Sequence, residues 1–167
     1  NSPGNDMRYY ESKVEASRNF ANKIWNASRF VLMNLPHDFE VKPIDESKLS
    51  LADKWVLAKL AHATNKITEN LEKYEFANVG TYLTNFIWND FCSWYIEMSK
   101  LSLLDEAIAD NTRQVLVYVL KQIVVLLHPF APFISDEIYQ AIPGNLGSIH
   151  KESWPNIPSK YLDEKVA

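Results

Sequence analysis

Apolar residues along this chain recur at intervals of three and four. Phe20, Ile24, Ala27 and Val31 fall at i, i+4, i+7 and i+11, so they share one face of a helix. That helix is expected from about Ser12 to Asn34, stopping before Pro36. Residues 35–50, LPHDFEVKPIDESKLS, carry two prolines and no period, and read as a loop. Ser50 followed by Asp53 makes a capping box for a second helix. Its stripe is Val56, Leu60, Ala63, Ile67, Leu71 and Tyr74. After a break at KYEFAN, a third helix is predicted from about Glu75 to Leu103, with Val79, Leu83, Phe86, Trp94 and Met98 inward. Asp105 to Asn111 forms a turn. The fourth helix, to about His128, is apolar nearly all round, which suits a central position. Pro129 and Pro132 break it, FISDEIYQAI makes a short fifth helix ended by Pro143-Gly144, and SIHKESWPNIP is irregular. No strand, internal repeat or heptad stands out. Long helices with short connections bury their stripes as a bundle, so the expected fold is all-α: an antiparallel helical bundle of about five helices over residues 1–155. Residues 156–167 form a C-terminal tail.

Composition narrows the class. With 47% hydrophobic and 13% aromatic residues in 167, the chain is neither disordered nor fibrous. A single cysteine, Cys92, excludes an internal disulfide framework and a zinc site built from several cysteines, and points to a reducing, cytoplasmic setting. The densest apolar run, Val115 to Leu127, is interrupted by Lys121 and Gln122, which argues against a membrane span. The first residues, NSPGNDMRYY, read as a linker-like segment without an initiator Met or a signal sequence, and LDEKVA is no structural ending. Both ends suggest a domain of a longer protein.

A net charge of −4 argues against a general nucleic-acid binder. The average hides an asymmetry. Between Arg8 and Arg29, five cations (Arg8, Lys13, Arg18, Lys23, Arg29) oppose Glu11 and Glu15, a local +3 that leaves −7 to everything else.

Most catalytic signatures are missing. His37, His62, His128 and His150 are scattered over different elements without metal-ligand spacing, so no metal site is expected. Gly4, Gly80, Gly144 and Gly147 form no phosphate loop, and no G-x-S-x-G elbow occurs. Cys92 has no basic or histidine neighbour in sequence and reads as a small buried hydrophobe. In the aromatic run around it, Phe86 and Trp94 read as core. Trp88 and Tyr95 share another face that could line a surface.

The first helix carries a second stripe. Asn19, Lys23, Asn26 and Phe30 repeat the spacing of the apolar set one residue out of step, roughly 100° around the axis. An amide offers donors and an acceptor to a base edge, a lysine meets phosphate, and an exposed ring stacks an unpaired base. Together they match recognition of a single-stranded RNA loop. The plainer alternative is solvated polar residues beside a Phe30 at the margin of the core.

NFANKIWNASRFVLMNL, with FIWNDFCSWYIEMSK and LLHPFAPFISDEIYQAI, resembles the anticodon-binding helical bundle of bacterial valyl-tRNA synthetases over essentially the whole chain. The HPF-x-PF-x-x-E segment (His128 to Glu137) and DKWVLAKL are shared with isoleucyl and leucyl relatives, which usually lack FANKIWNASRF. The resemblance implies part of a class I aminoacyl-tRNA synthetase, a ligase that joins valine to its tRNA using ATP and magnesium. The implied role of this part is to grip the valine anticodon loop while a separate catalytic domain of the same chain, a monomer, does the chemistry. Valine anticodons end in A then C. By motif, the contacts fall on Lys23, Asn26 and Phe30, with Asn19, Asn22 and Arg29 beside them. Phe30 is expected to stack, Asn26 to bond a base edge, and Lys23 to meet base or phosphate. The alternatives are an isoleucyl or leucyl anticodon domain, or a helical protein-interaction bundle without an RNA role.

The family's His-Ile-Gly-His signature is absent. EMSKL (Glu97 to Leu101) imitates Lys-Met-Ser-Lys-Ser but opens with Glu and lies within a helix. No editing domain is present, and residues 156–167 would only begin a linker to the family's C-terminal coiled coil. The chain by itself is therefore expected to be non-catalytic, without a cofactor, and a weak, salt-sensitive tRNA binder in the micromolar range or weaker.

Overall fold

The computed structural model describes the backbone of residues 3–162 and the side chains of residues 18–162. Arg8, Lys13, Glu11 and Glu15 of the basic segment have side chains outside the described residues. Among the described residues every regular element is helical.

Helix α1 spans Pro3–Met33, so the segment that reads as a linker is its first turns, with Pro3 at a position where a missing N–H matters little. Ile24 and Val31 are fully buried and Ala27 nearly so. Each large side chain of this kind contributes roughly 1.5–3 kcal/mol when removed from water. The helix ends where Asn34 Nδ2 donates back to the Phe30 carbonyl (2.8 Å) and Arg113 Nε donates to the Asn34 carbonyl (3.1 Å).

The loop that follows is anchored by Leu35, Phe39, Ile44 and Leu49 against the core, and its backbone is held by two amide side chains of a later helix. Lys42 N–H donates to Gln114 Oε1 (2.9 Å), and Gln114 Nε2 donates to the Glu40 carbonyl (2.8 Å). Asp45 N–H donates to Asn111 Oδ1 (2.8 Å), and Asn111 Nδ2 returns to the Asp45 carbonyl (3.0 Å). Each amide imitates a strand neighbour, so loop backbone that a sheet would have paired is satisfied.

Helix α2, Leu51–Glu72, opens with the expected capping box: Ser50 Oγ accepts from Asp53 N–H, and Asp53 Oδ2 accepts from Ser50 N–H, both at 3.0 Å. Its C-terminus reverses sharply. Glu75 N–H donates to the Asn70 carbonyl and Tyr74 N–H to the Leu71 carbonyl, with Tyr74 left-handed at φ 58°. That reversal throws Tyr74 into solvent, off the stripe to which helical spacing assigns it.

The third rod is continuous but not uniform: α3 (Phe76–Thr84), a π-helical segment (Asn85–Tyr95) and α4 (Ile96–Ser102). In the π segment the hydrogen bonds span five residues, and Ser93 Oγ also reaches back five residues to the Trp88 carbonyl (2.9 Å). The core positions stretch accordingly, with Phe86, Phe91 and Ile96 buried at intervals of five. This corrects two expectations. Trp94 is 61% exposed and Tyr95 is fully buried, because the wider turn advances the inward register by one residue.

Helix α5, Ala109–Leu127, is central as expected and most of its residues are buried. Helix α6, Pro132–Ala141, begins with proline in its first turn. The tail is laced across the bundle. Trp154 Nε1 donates to Thr68 Oγ1 (2.9 Å), Tyr139 donates to Glu152 (2.8 Å), and Tyr161 donates to Glu46 (2.9 Å).

Contacts fix the directions. Asp53 at the start of α2 meets Tyr95 late in the third rod, while Asn70 at the end of α2 meets Asn78 near the start of α3. These neighbours are antiparallel. Phe20 lies against Trp88, and Phe30 beneath Lys100, so α1 runs parallel to the third rod.

Candidate nucleic-acid interface

The α1 stripe emerges along the seam between α1 and the third rod. Asn19, Asn22, Asn26 and Arg29 are exposed, while Lys23 and Phe30 are half-buried. The described side-chain hydrogen bonds of α1 are those of Ser28 and Asn34, so the amides of Asn19, Asn22 and Asn26 have no partner among the described residues. Asparagine is a poor helix former because its side chain competes for the backbone. Among the described residues, these three exposed amides make no side-chain bond that would offset that cost.

The half-buried members have partners from the third rod. Lys23 Nζ lies 5.1 Å from the centroid of the Trp88 ring. Trp88 also stacks on Phe20, with centroids 6.4 Å apart and planes at 22°. Lys100 Nζ lies 5.6 Å from the Phe30 centroid, and its ammonium is gripped by Glu97 at 2.9 and 3.0 Å. Phe30 itself packs on the edge of the core, so both readings of that residue hold in part: an anchored ring with an outward portion. Its neighbour Met33 is 77% exposed.

Sequence order gives no hint that Lys23 approaches the aromatic run around Cys92. In space the lysine is close enough to draw the Cys92 thiol downward, but burial prevails and pushes it up to about 12. The thiol stays protonated and unreactive. Among the described residues, no group of three or more His, Cys, Asp or Glu is placed to hold a metal ion. The histidines are less scattered than their spacing suggests, since His128 and His150 meet edge to face at 5.1 Å, with His128 Nδ1 3.0 Å from Ser135 Oγ. No described helix is long and apolar enough to cross a membrane.

A sequence model of the family described as the anticodon-binding domain of tRNA ligase matches residues 53–167. The chain belongs to that family. Its relatives extend the likeness to α1: the chain is 51% identical over 164 residues to a valine–tRNA ligase of Staphylococcus epidermidis, and 49% over 167 residues to one of Staphylococcus aureus. These alignments cover 96% and 98% of this chain but only 19% of each relative. The chain thus spans about a fifth of the length of the curated relatives it matches. Among solved structures it is similar to a leucyl-tRNA synthetase in a ternary complex from Agrobacterium radiobacter, with a TM-score of 0.65 at 22% identity, over 89% of this chain and 17% of that one. That likeness carries the fold alone, an all-helical bundle. The family match starts at Asp53, so the α1 stripe lies outside it and rests on the full-length relatives and its own chemistry.

Proposed function

We propose that this domain reads the anticodon loop of a valine tRNA on behalf of a valine–tRNA ligase. The observation that carries the reading is the α1 stripe: exposed amides at Asn19, Asn22 and Asn26, without a partner among the described residues, beside Lys23, Arg29 and the outward edge of Phe30. Unpaired amides on a helix are ready to bond base edges without first giving up a protein partner. Asn26 bonds the edge of one of the last two anticodon bases, and Phe30 stacks a splayed base. Lys23 and Arg29 meet the backbone, with Asn19 and Asn22 at the margin of the contact. Lys100 moves aside when a base approaches Phe30, since a surface ion pair such as Lys100–Glu97 is worth under ~1 kcal/mol.

Attachment of valine, with ATP and magnesium, belongs to a catalytic domain elsewhere in the parent chain, a cytoplasmic monomer. Residues 1–155 act as the RNA-reading unit and residues 156–167 lead towards the next domain.

The test is a titration of the chain with a valine anticodon stem-loop at low salt, with an isoleucine stem-loop as competitor. Wild type should prefer the valine loop, and Asn26→Ala should lose about 1–3 kcal/mol of that preference. Equal binding of both loops, untouched by the substitution, would sink the proposal.

A further inference from the structure

Three lysines among the described residues lie over an aromatic ring, and Lys23 alone of the three has no carboxylate within ion-pair distance there. Lys100 and Lys160, the other two, are each paired with a glutamate. Lys23 instead has the Trp88 ring beneath its ammonium at 5.1 Å, and Trp88 is steadied from the side by the stacked Phe20 ring. A carboxylate would fix the ammonium and also cancel its charge. An indole face fixes it and leaves the charge whole, because the attraction comes from the ring quadrupole. Such a cation is already ordered yet free to meet an anion, so less side-chain entropy is lost when a phosphate arrives.

We infer that Trp88 is a positioning residue of the anticodon interface: it holds Lys23 oriented and uncompensated for an RNA phosphate. The inference rests on the α1 reading proposed above and extends the interface to a second element, the π-helical segment. The spacing supports this assignment. The wide turns of that segment carry Phe91 and Tyr95 into the core while Trp88 remains half-buried against α1.

The experiment is a double-mutant cycle on the 167-residue chain, with Lys23→Met, Trp88→Leu and both together. Binding of the valine anticodon stem-loop is measured at several salt concentrations. Trp88→Leu should weaken binding about fivefold in the wild-type background and leave Lys23→Met unchanged. Lys23→Met should lower the salt dependence by nearly one phosphate contact. Trp88→Phe, which keeps a ring, should restore most of the affinity, and ring-current shifts of the Lys23 methylene protons should vanish only in Trp88→Leu. Equal losses from Trp88→Leu with and without Lys23, or none at all, would overturn the inference. If Lys23→Met has no effect while Asn26→Ala does, the α1 reading survives and this extension of it falls. If neither substitution matters, both fall.

Discussion

The Tyr95 phenol donates a 2.6 Å hydrogen bond to Asp53 Oδ1, while the other oxygen of that carboxylate accepts the Ser50 N–H that starts α2. Tyr95 and Asp53 are both fully buried. One carboxylate thus joins the cap of α2 to the π segment of the third rod. Tyr95→Phe keeps the ring and removes the donor, leaving a buried Asp53 oxygen short of a partner. The expected loss is about 1–3 kcal/mol of unfolding free energy, read from urea denaturation. An unchanged midpoint would show that the bond contributes nothing net.

The same pair contributes to the alkaline limit. Burial, and then the adjacent Asp53 carboxylate, hold the Tyr95 phenol well above its ordinary range. The folded state therefore binds this proton more tightly than the unfolded chain does. Its contribution is complete below the unfolded value of about 10 and is lost as pH climbs from there towards the raised folded value. Burial also raises Tyr118 and Tyr139, so the decline has several contributors. Stability should begin to fall near pH 9, where the unfolded Cys92 thiol titrates ahead of its raised folded value, and fall further above about 10, the second phase less steeply in Tyr95→Phe. Identical slopes for the two proteins would remove Tyr95 from the account.

Asn111 and Gln114 each make two bonds to the backbone of the 35–50 loop. Alanine at either position strands one loop N–H and one carbonyl, at a cost of about 1–3 kcal/mol. The effect should be local first. Hydrogen exchange at Lys42 should accelerate in Gln114→Ala, and at Asp45 in Asn111→Ala, while the α5 core stays protected. Uniform acceleration across the bundle would argue against a discrete tether.

Glu97 is an anion beside the proposed RNA face, and it holds Lys100 over Phe30. Glu97→Gln removes a charge that repels phosphate and frees a cation that attracts it. Anticodon stem-loop binding should tighten a few-fold at low salt, and the gain should shrink as salt rises. Weaker binding would mean that Glu97 itself accepts a bond from the RNA.

With its thiol pushed up to about 12, Cys92 should resist alkylation at pH 8 in the native protein. It should label stoichiometrically in denaturant. Rapid labelling of the folded chain would show that the seam between α1 and the π segment opens easily.

Much of the bundle was legible in the residue pattern because most of its helices keep one period. Ile24, Ala27 and Val31 identify the core face of α1, Ser50 and Asp53 announce the start of α2, and the all-round apolar run of α5 marks the centre. The failures share a cause. Reading Trp94 inward and Tyr95 outward assumes a constant turn, and nothing in NFIWNDFCSWY states that hydrogen bonds there span five residues. Tyr74 fails similarly, since a left-handed residue at a helix end is usually signalled by glycine or asparagine. Four residues of the proposed RNA stripe, Asn19, Lys23, Asn26 and Phe30, stood out from chemistry and spacing, while Asn22 and Arg29 entered only through the family resemblance. Trp88, the ring under Lys23, was visible as an aromatic on a second face, but its partner lies 65 positions away and only the fold brings them together.

Helix α1 packs chiefly on the π segment, α5 and α6, all far downstream of it. On a ribosome this helix emerges before every element it packs on, and it finds its seat last. Until Ala141 has been made, the groove that receives Ile24 and Val31 lacks its α6 wall. At roughly 5–20 residues per second, the interval is on the order of ten seconds. The nascent chain therefore displays an amphipathic, cationic helix well before the proposed RNA-reading surface is complete. That makes α1 the segment most in need of a chaperone during synthesis.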